Sequence, residues 1–168
     1  MGHIFDFNDL KHVKLINDVL AGAVLDEYIF NTSFTLVFVQ TYSSIDGIQI
    51  PYRLSLRILS EWWFGEKDEW IKFVHKFTIG MDYVEPDEPV LAYRLTALRW
   101  NSNAKISSVF ISREYLRIVF DNKEFITISN YSIEDNSWEM WDEQSLYTEV
   151  TKRIYFICEE GNVFFNIP

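Results

Sequence analysis

Residues 106–129 read ISSVFISREYLRIVFDNKEFITIS, and this stretch decides the fold. Three short runs rich in apolar residues cover residues 106–111, 116–120 and 125–129, and the run that ends in Phe120 alternates. Such alternation predicts β-strands that bury one face. Asp121-Asn122-Lys123 separates the last two strands as a turn, so neighbouring strands should run antiparallel.

A helix is predicted directly before these strands. The motif Pro86-Asp87-Glu88-Pro89 marks its start, because Asp87 can cap a helix and Pro89 suits a first turn. Helical spacing follows until about Asn101, and the residues on the apolar side are Leu91, Ala92, Leu95 and Leu98.

The first half of the chain has the same order of elements. Asn8 or Asp9 can cap a helix that ends near Gly22, and alternating strands follow over residues 34–38 and 54–58. An offset of 82 residues aligns Val24 with Ile106 and Phe34 with Leu116 without gaps. This match predicts internal repeats over residues 8–80 and 87–168.

We therefore predict an α+β fold in which two pseudo-repeated units, each a helix plus an antiparallel β-meander, pack as one domain over residues 1–168. Residues 70–79 fit both a helical face and a strand, and we predict a strand there. Residues 154–158 and 163–167 should form a terminal hairpin around Glu160-Gly161-Asn162.

Composition excludes several classes of function. The 168 residues carry 15 Lys plus Arg against 25 Asp plus Glu, a net charge of -10. A chain this acidic, without a Lys/Arg cluster, is not expected to bind nucleic acid. Apolar runs are too short to span a membrane, and Asp6 and Asp9 stand where a signal peptide would carry positive charge. We expect no membrane contact and a cytoplasmic protein.

Motifs for catalysis are poorly represented. The chain has no G-x-S-x-G elbow, no H-E-x-x-H, no C-x-x-C and no glycine-rich phosphate loop, so we expect no enzyme activity, no metal and no cofactor. The single cysteine, Cys158, lies between Ile157 and Glu159 in a strand-like run and should be a core residue.

The most informative pattern is an acidic segment. Between Lys123 and Lys152 lie 28 residues with seven acids and no Lys or Arg, and with Trp138 and Trp141. Residues 82–88 form a shorter counterpart. One interpretation is a solvated acidic face whose tryptophans point into the core. The other is an interface for a protein partner, in which aromatic anchors are surrounded by carboxylates.

The second half also resembles a known group of proteins. A capped helix, residues 106–129, and an acidic turn into the Trp138-Glu139 pair resemble small bacterial domains among the immunity proteins of polymorphic toxin systems. The first half resembles them more loosely, through Glu61-Trp62. The resemblance implies that the chain covers the basic active cleft of a toxin. The contact residues we predict are Trp138, Glu139, Trp141, Asp142 and Glu143, with a second set of Trp62, Trp63, Asp82, Glu85, Asp87 and Glu88.

Two other functions stay open. Trp62, Trp63, Trp70 and Trp100 could line a pocket for a small apolar or sugar-like ligand. Alternatively, the terminal hairpin could pair with a second copy along a sheet edge, which would make a homodimer. The oligomeric state is not determined by the sequence.

Overall fold

The computed structural model describes residues 3–31, 33–40, 44–45, 48–49, 53–80, 87–100, 104–133, 136–143 and 154–167. These residues form three helices, namely α1 (Leu10–Leu20), α2 (Lys67–Thr78) and α3 (Glu88–Trp100). The Asp9 side chain caps α1 by accepting a hydrogen bond of 2.9 Å from the Lys11 N–H. None of these helices is long and apolar enough to cross a membrane.

Strands make up most of the remaining described residues. Before residue 65 they are β1 (His3–Ile4), β2 (Val24–Phe30), β3 (Phe34–Val39), β4 (Ser44–Ile45), β5 (Ile48–Gln49), β6 (Arg53–Ile58) and β7 (Trp62–Phe64). After residue 100 they are β8 (Ile106–Ile111), β9 (Tyr115–Phe120), β10 (Phe125–Ser129), β11 (Asn136–Asp142), β12 (Tyr155–Glu159) and β13 (Asn162–Asn166).

The strands form two main sheets. The larger has seven strands in the order β1-β13-β12-β11-β6-β3-β2, and the smaller has four in the order β7-β10-β9-β8. Among the described residues, β4 and β5 pair with each other and with no further strand. All of the strand pairs are antiparallel. The α+β fold class is thus confirmed.

Strands cross between the two halves of the chain: β7 joins the smaller sheet, and β11 joins the larger sheet together with β12 and β13. Strands β2, β3 and β6 form a meander in the larger sheet. The strand that follows them, β7, does not continue this meander and pairs with β10 of the smaller sheet. In the same way β8, β9 and β10 form a meander, and the next strand, β11, pairs with β6 of the larger sheet. Trp62 lies opposite Ile128, and Trp138 lies opposite Ile58. The two exchanged strands therefore occupy matching positions.

The helices follow the same exchange. Asn17 of α1 accepts a hydrogen bond of 2.8 Å from the N–H of Val109 in β8. Tyr28 of β2 shares a hydroxyl hydrogen bond with Thr96 of α3. Each half thus packs its helix on the first strand of the other half. The boundaries 8–80 and 87–168 stay a prediction. A helix, a three-stranded meander and an exchanged strand follow one another on either side of residue 87, but β4 and β5 interrupt the first meander.

Both sheets and all three helices contribute to one core. Its largest fully buried side chains include Phe38, Phe120, Trp138 and Phe156. In the strands, every second side chain points into this core. In β9, for example, Leu116, Ile118 and Phe120 are buried and the residues between them are not. Burial of this much aromatic and aliphatic surface is the main source of stability in such a domain.

The prediction of a strand over residues 70–79 is wrong, because α2 covers them. A strand would have placed Ile71, His75 and Phe77 on one face, and all three are exposed. The helix instead buries Trp70 and Val74, which are four residues apart. Acids in its first turn and His75 and Lys76 in its last turn match the helix dipole. The predicted terminal hairpin is confirmed as β12 and β13.

Candidate functional site

The acidic segment enters the structure as β11, an inner strand of the larger sheet. Side chains along β11 alternate, so Trp138 and Met140 point into the core while Glu139 and Trp141 are half-buried on the outer side. Glu143 follows the strand and lies on the same outer side, where it contacts Arg53 and Ser55. Only part of the segment is therefore able to meet a partner.

Trp138 is not a contact residue, which corrects the prediction. Its relative exposure is 0%, and its indole Nε1 donates a hydrogen bond of 2.7 Å to Oδ1 of the buried Asn130. Trp62, at the matching position of β7, is also buried. Both tryptophans lie at inward-facing positions of the exchanged strands, so each packs into the core beside the sheet that its strand has joined.

Three carboxylates surround one guanidinium on the outer side of the larger sheet. Arg53 Nε lies 2.7 Å from Glu143 Oε2, Nη1 lies 2.5 Å from Asp26 Oδ2, and Nη2 lies 3.1 Å from Glu27 Oε2. The hydrogen bond that Arg53 donates to Glu143 outweighs desolvation and holds the pKa of Arg53 above its usual range. The group as a whole carries more negative than positive charge.

Glu143 is the best-anchored of these carboxylates. Burial alone would raise its pKa, but hydrogen bonds from the Ser55 hydroxyl and from Arg53 outweigh burial and lower it. The carboxylate therefore stays charged at neutral pH and is held in one orientation.

A second ion pair, between Glu139 and Arg57, lies on the same outer side of the larger sheet. Glu139 Oε1 accepts a hydrogen bond of 2.6 Å from the Asn136 amide, and its Oε2 lies 3.9 Å from Arg57 Nη1. Arg57 is in turn fixed by a hydrogen bond of 3.0 Å from its Nε to the Ser33 hydroxyl. Glu139 and Arg57 are directly opposite in the strand register.

Apolar side chains continue the same face on the other side of β11. The register places Tyr155 opposite Trp141, and Ile157 opposite both Glu139 and Phe164. All are half-buried, and Ile4, opposite Phe164, is 68% exposed. We call the outer surface formed by Glu139, Trp141, Glu143, Tyr155, Ile157 and Phe164 the β11 face.

Sequence reasoning missed three members of the β11 face. Tyr155, Ile157 and Phe164 belong to the terminal hairpin, which was predicted as a hairpin but not as a neighbour of β11. Their alternation with buried Phe156, Cys158 and Val163 was the available signal. That alternation shows that they share a face, but it does not show which strand lies beside them.

The second set of predicted contact residues does not join this face. Trp63 lies on the four-stranded sheet, where Lys67 Nζ sits 4.9 Å from its ring centroid. Asp87 and Glu88 are half-buried at the start of α3, and Asp142 is half-buried at the end of β11. Asp82 and Glu85 lie outside the described residues.

The predicted tryptophan pocket is not formed. Trp62, Trp63, Trp70 and Trp100 do not line one pocket, because Trp62 is in the core and Trp100 is 82% exposed on α3.

The single cysteine lies in the core. Cys158 is fully buried, and burial raises the pKa of its thiol to about 12. Among the described residues, no group of three or more His, Cys, Asp or Glu side chains is placed to hold a metal ion.

Comparison of the chain with protein-family models, with curated proteins and with solved structures found no match. The resemblance to immunity proteins thus stays a prediction.

Proposed function

We propose that this protein is a non-enzymatic protein-binding domain whose β11 face receives a basic surface of its partner. The observation that carries the proposal is the arrangement around Arg53, where one guanidinium faces the carboxylates of Asp26, Glu27 and Glu143. The excess negative charge lies beside half-buried aromatic and aliphatic side chains.

This combination suits recognition of a cationic partner. Surface charge of one sign speeds the encounter with a partner of opposite sign and discriminates against acidic proteins. Trp141 and Tyr155 provide the large, stiff side chains that carry binding energy at the centre of an interface. Since Glu139 and Glu143 are already held by hydrogen bonds, binding would cost little side-chain entropy.

The role that accommodates these features is that of an immunity protein that covers the basic cleft of a toxin. The carboxylates would stand where the phosphates of the toxin's substrate otherwise bind, and the aromatic strip would exclude water around them. The cytoplasm is the compartment that we propose for this role, in keeping with a single cysteine that is buried and forms no disulfide.

The test is a quantitative binding comparison between two faces of the protein. Basic proteins that the tagged chain retains from its own organism's lysate at low salt, and releases at high salt, are identified and purified. Affinities are then measured for the wild type and for a Trp141→Ala, Glu143→Lys variant. We expect a loss of about tenfold or more, because an aromatic anchor is removed and a charge is reversed.

The matched control is Phe110→Ala with Glu114→Lys. Both residues are exposed and belong to the β8–β9 hairpin of the smaller sheet, so the same two types of change are made away from the β11 face. The control should bind within about twofold of the wild type. Equal affinities for all three proteins, each verified as folded by circular dichroism, would rule out the β11 face as the interface.

A further inference from the structure

Two cavities adjoin in the groove between α2 and α3, and Phe73 lines both of them. The first has a volume of about 380 Å³ and reaches from Phe64 and Trp70 to Arg94. The second has a volume of about 230 Å³ and lies between Phe77 and Tyr93. None of these residues belongs to the β11 face.

The second cavity is apolar. Its lining consists of Phe73, Phe77, Pro89, Val90 and Tyr93. Phe77 and Tyr93 are 53% and 67% exposed, so both rings are accessible to a ligand. The rings of Phe73 and Phe77 are 4.6 Å apart, so they present a continuous apolar wall.

The first cavity is lined by positively charged side chains and by the aromatic rings of Phe64, Trp70 and Phe73. Lys72, Lys76 and Arg94 line it together with Glu66 and Glu69. The two acids already have partners, since Glu69 lies 2.9 Å from Lys72 Nζ and Glu66 lies 3.6 Å from Arg117 Nη1. Glu66 and Glu69 therefore do not pair with Lys76 or Arg94, and the ion-pair partner of Arg94 is Glu124, which does not line the cavity.

Arg94 and Lys76 hold their positions mainly through rings. The Arg94 guanidinium carbon lies 5.2 Å from the Phe73 centroid and 5.9 Å from that of Phe64. Its Nη1 is 3.5 Å from Glu124, and its Nε is buried with no hydrogen-bond partner among the described residues. Lys76 Nζ lies 5.9 Å from the Phe77 centroid and has no carboxylate within 4.0 Å in the described part of the chain.

We propose that this groove binds an amphipathic anion, namely a linear alkyl chain that ends in a carboxylate. The carboxylate would be held in the first cavity by Lys76 and Arg94, and the chain would extend past Phe73 into the second cavity. Lys72 and Lys76 form one row along α2, and Phe73 and Phe77 form the neighbouring row, so cationic and apolar groups lie side by side in the groove. The first cavity, at about 380 Å³, has the size of a small-molecule site, which favours a free ligand over a protein segment.

The probe is decanoate, titrated into the full chain and followed by calorimetry and by tryptophan fluorescence. Trp70 lines the first cavity and packs 5.9 Å from Phe73, so its emission should change on binding. We expect saturable binding of one decanoate per chain. Decyltrimethylammonium, decanol and acetate should each bind at least about tenfold more weakly, because each lacks either the anionic or the apolar end.

Variants of the two ends test the placement. Lys76→Gln with Arg94→Gln should weaken decanoate binding about tenfold or more, and so should Phe77→Ser with Tyr93→Ser. Arg99→Gln and Trp100→Ser are the controls, since both residues are exposed on α3 and line neither cavity. These controls should bind within about twofold of the wild type.

Three results would overturn the proposal. They are a lack of saturable binding up to about 1 mM decanoate, equal binding of decanol or decyltrimethylammonium, and unchanged affinity in both groove variants. A protein that binds at Phe77 and Tyr93 while decanoate does not would show that the groove is a protein interface instead. Partner binding at the β11 face is measured separately, so neither proposal depends on the other.

Discussion

Trp138 Nε1 donates a hydrogen bond of 2.7 Å to Asn130 Oδ1 in the interior of the protein. The other polar groups of Asn130 are also satisfied, because its Nδ2 donates to the Ser112 carbonyl and its carbonyl accepts from Gly161 N–H. A single buried residue thus connects the exchanged strand β11 and the turn after β8 through its side chain, and the turn of the terminal hairpin through its backbone carbonyl. Buried polar groups arranged in this way fix one packing of the core.

Trp138→Phe should lower the free energy of unfolding by about 1–3 kcal/mol, because it leaves Asn130 Oδ1 buried without a donor. Urea denaturation at neutral pH measures the change. Trp100→Phe, at an exposed position of α3, should change stability by less than about 0.5 kcal/mol. If the two variants lost the same amount, the hydrogen bond would have no net stabilising effect.

Glu143→Gln should lower stability at neutral pH but have less effect in acid. The pKa of Glu143 is lowered in the folded state from its ordinary value of 4.5, so its stabilising contribution is complete above that value. The contribution is lost as the pH falls through the lower pKa of the folded state. We expect a difference of about 1 kcal/mol at pH 7 that declines towards pH 3.

Urea denaturation of the wild type and of Glu143→Gln at several pH values follows this trend. Glu114→Gln, at an exposed position of the β8–β9 hairpin, is the control and should have a small effect throughout. A Glu143→Gln difference that grew as the pH fell would contradict the assignment of Glu143 as a stabilising carboxylate.

Gly161→Ala should destabilise the protein more than Gly65→Ala. Both glycines have positive φ, +76° and +67°, so each alanine costs about 1–2 kcal/mol of backbone strain. A Cβ at position 161 would also lie 3.0 Å from the Tyr131 ring, whereas the space around Gly65 is open. Thermal unfolding of the two variants compares them, and equal losses would show that Tyr131 moves aside without cost.

Cys158 should be unreactive towards thiol reagents in the folded protein. With a pKa of about 12, only roughly one thiol in 10⁴ is ionised at pH 8, and the side chain is fully buried. Absorbance with a disulfide reagent should report one reactive thiol per chain after addition of urea and none before. Rapid reaction in native buffer would show that the hairpin opens readily.

The meander of residues 106–129 could be predicted because its three apolar runs have the length of strands and its turns are short. The buried and exposed faces of β11 could not be predicted. Trp138 and Trp141 are three residues apart in a strand, so they must point to opposite sides, and the sequence does not show which of the two is buried. The helix α2 was mistaken for a strand because Phe73 and Phe77 fit both periods.

Most of the candidate site depends on pairings between distant parts of the chain. Arg53 reaches Glu143 only because β11 crosses to the sheet that contains β6. A crossing of this kind leaves no local pattern, since each strand shows the same alternation whichever sheet receives it. The carboxylate-rich composition of the segment was visible in the sequence, but the guanidinium that organises it was not.

The exchange of β7 and β11 also bears on how the chain unfolds. Among the described residues β7 pairs with β10, and β11 joins β12 to β6, so each main sheet takes strands from both sides of residue 87. Neither sheet is complete without the other half of the chain. We therefore expect the two sheets to lose their structure together, in one cooperative transition.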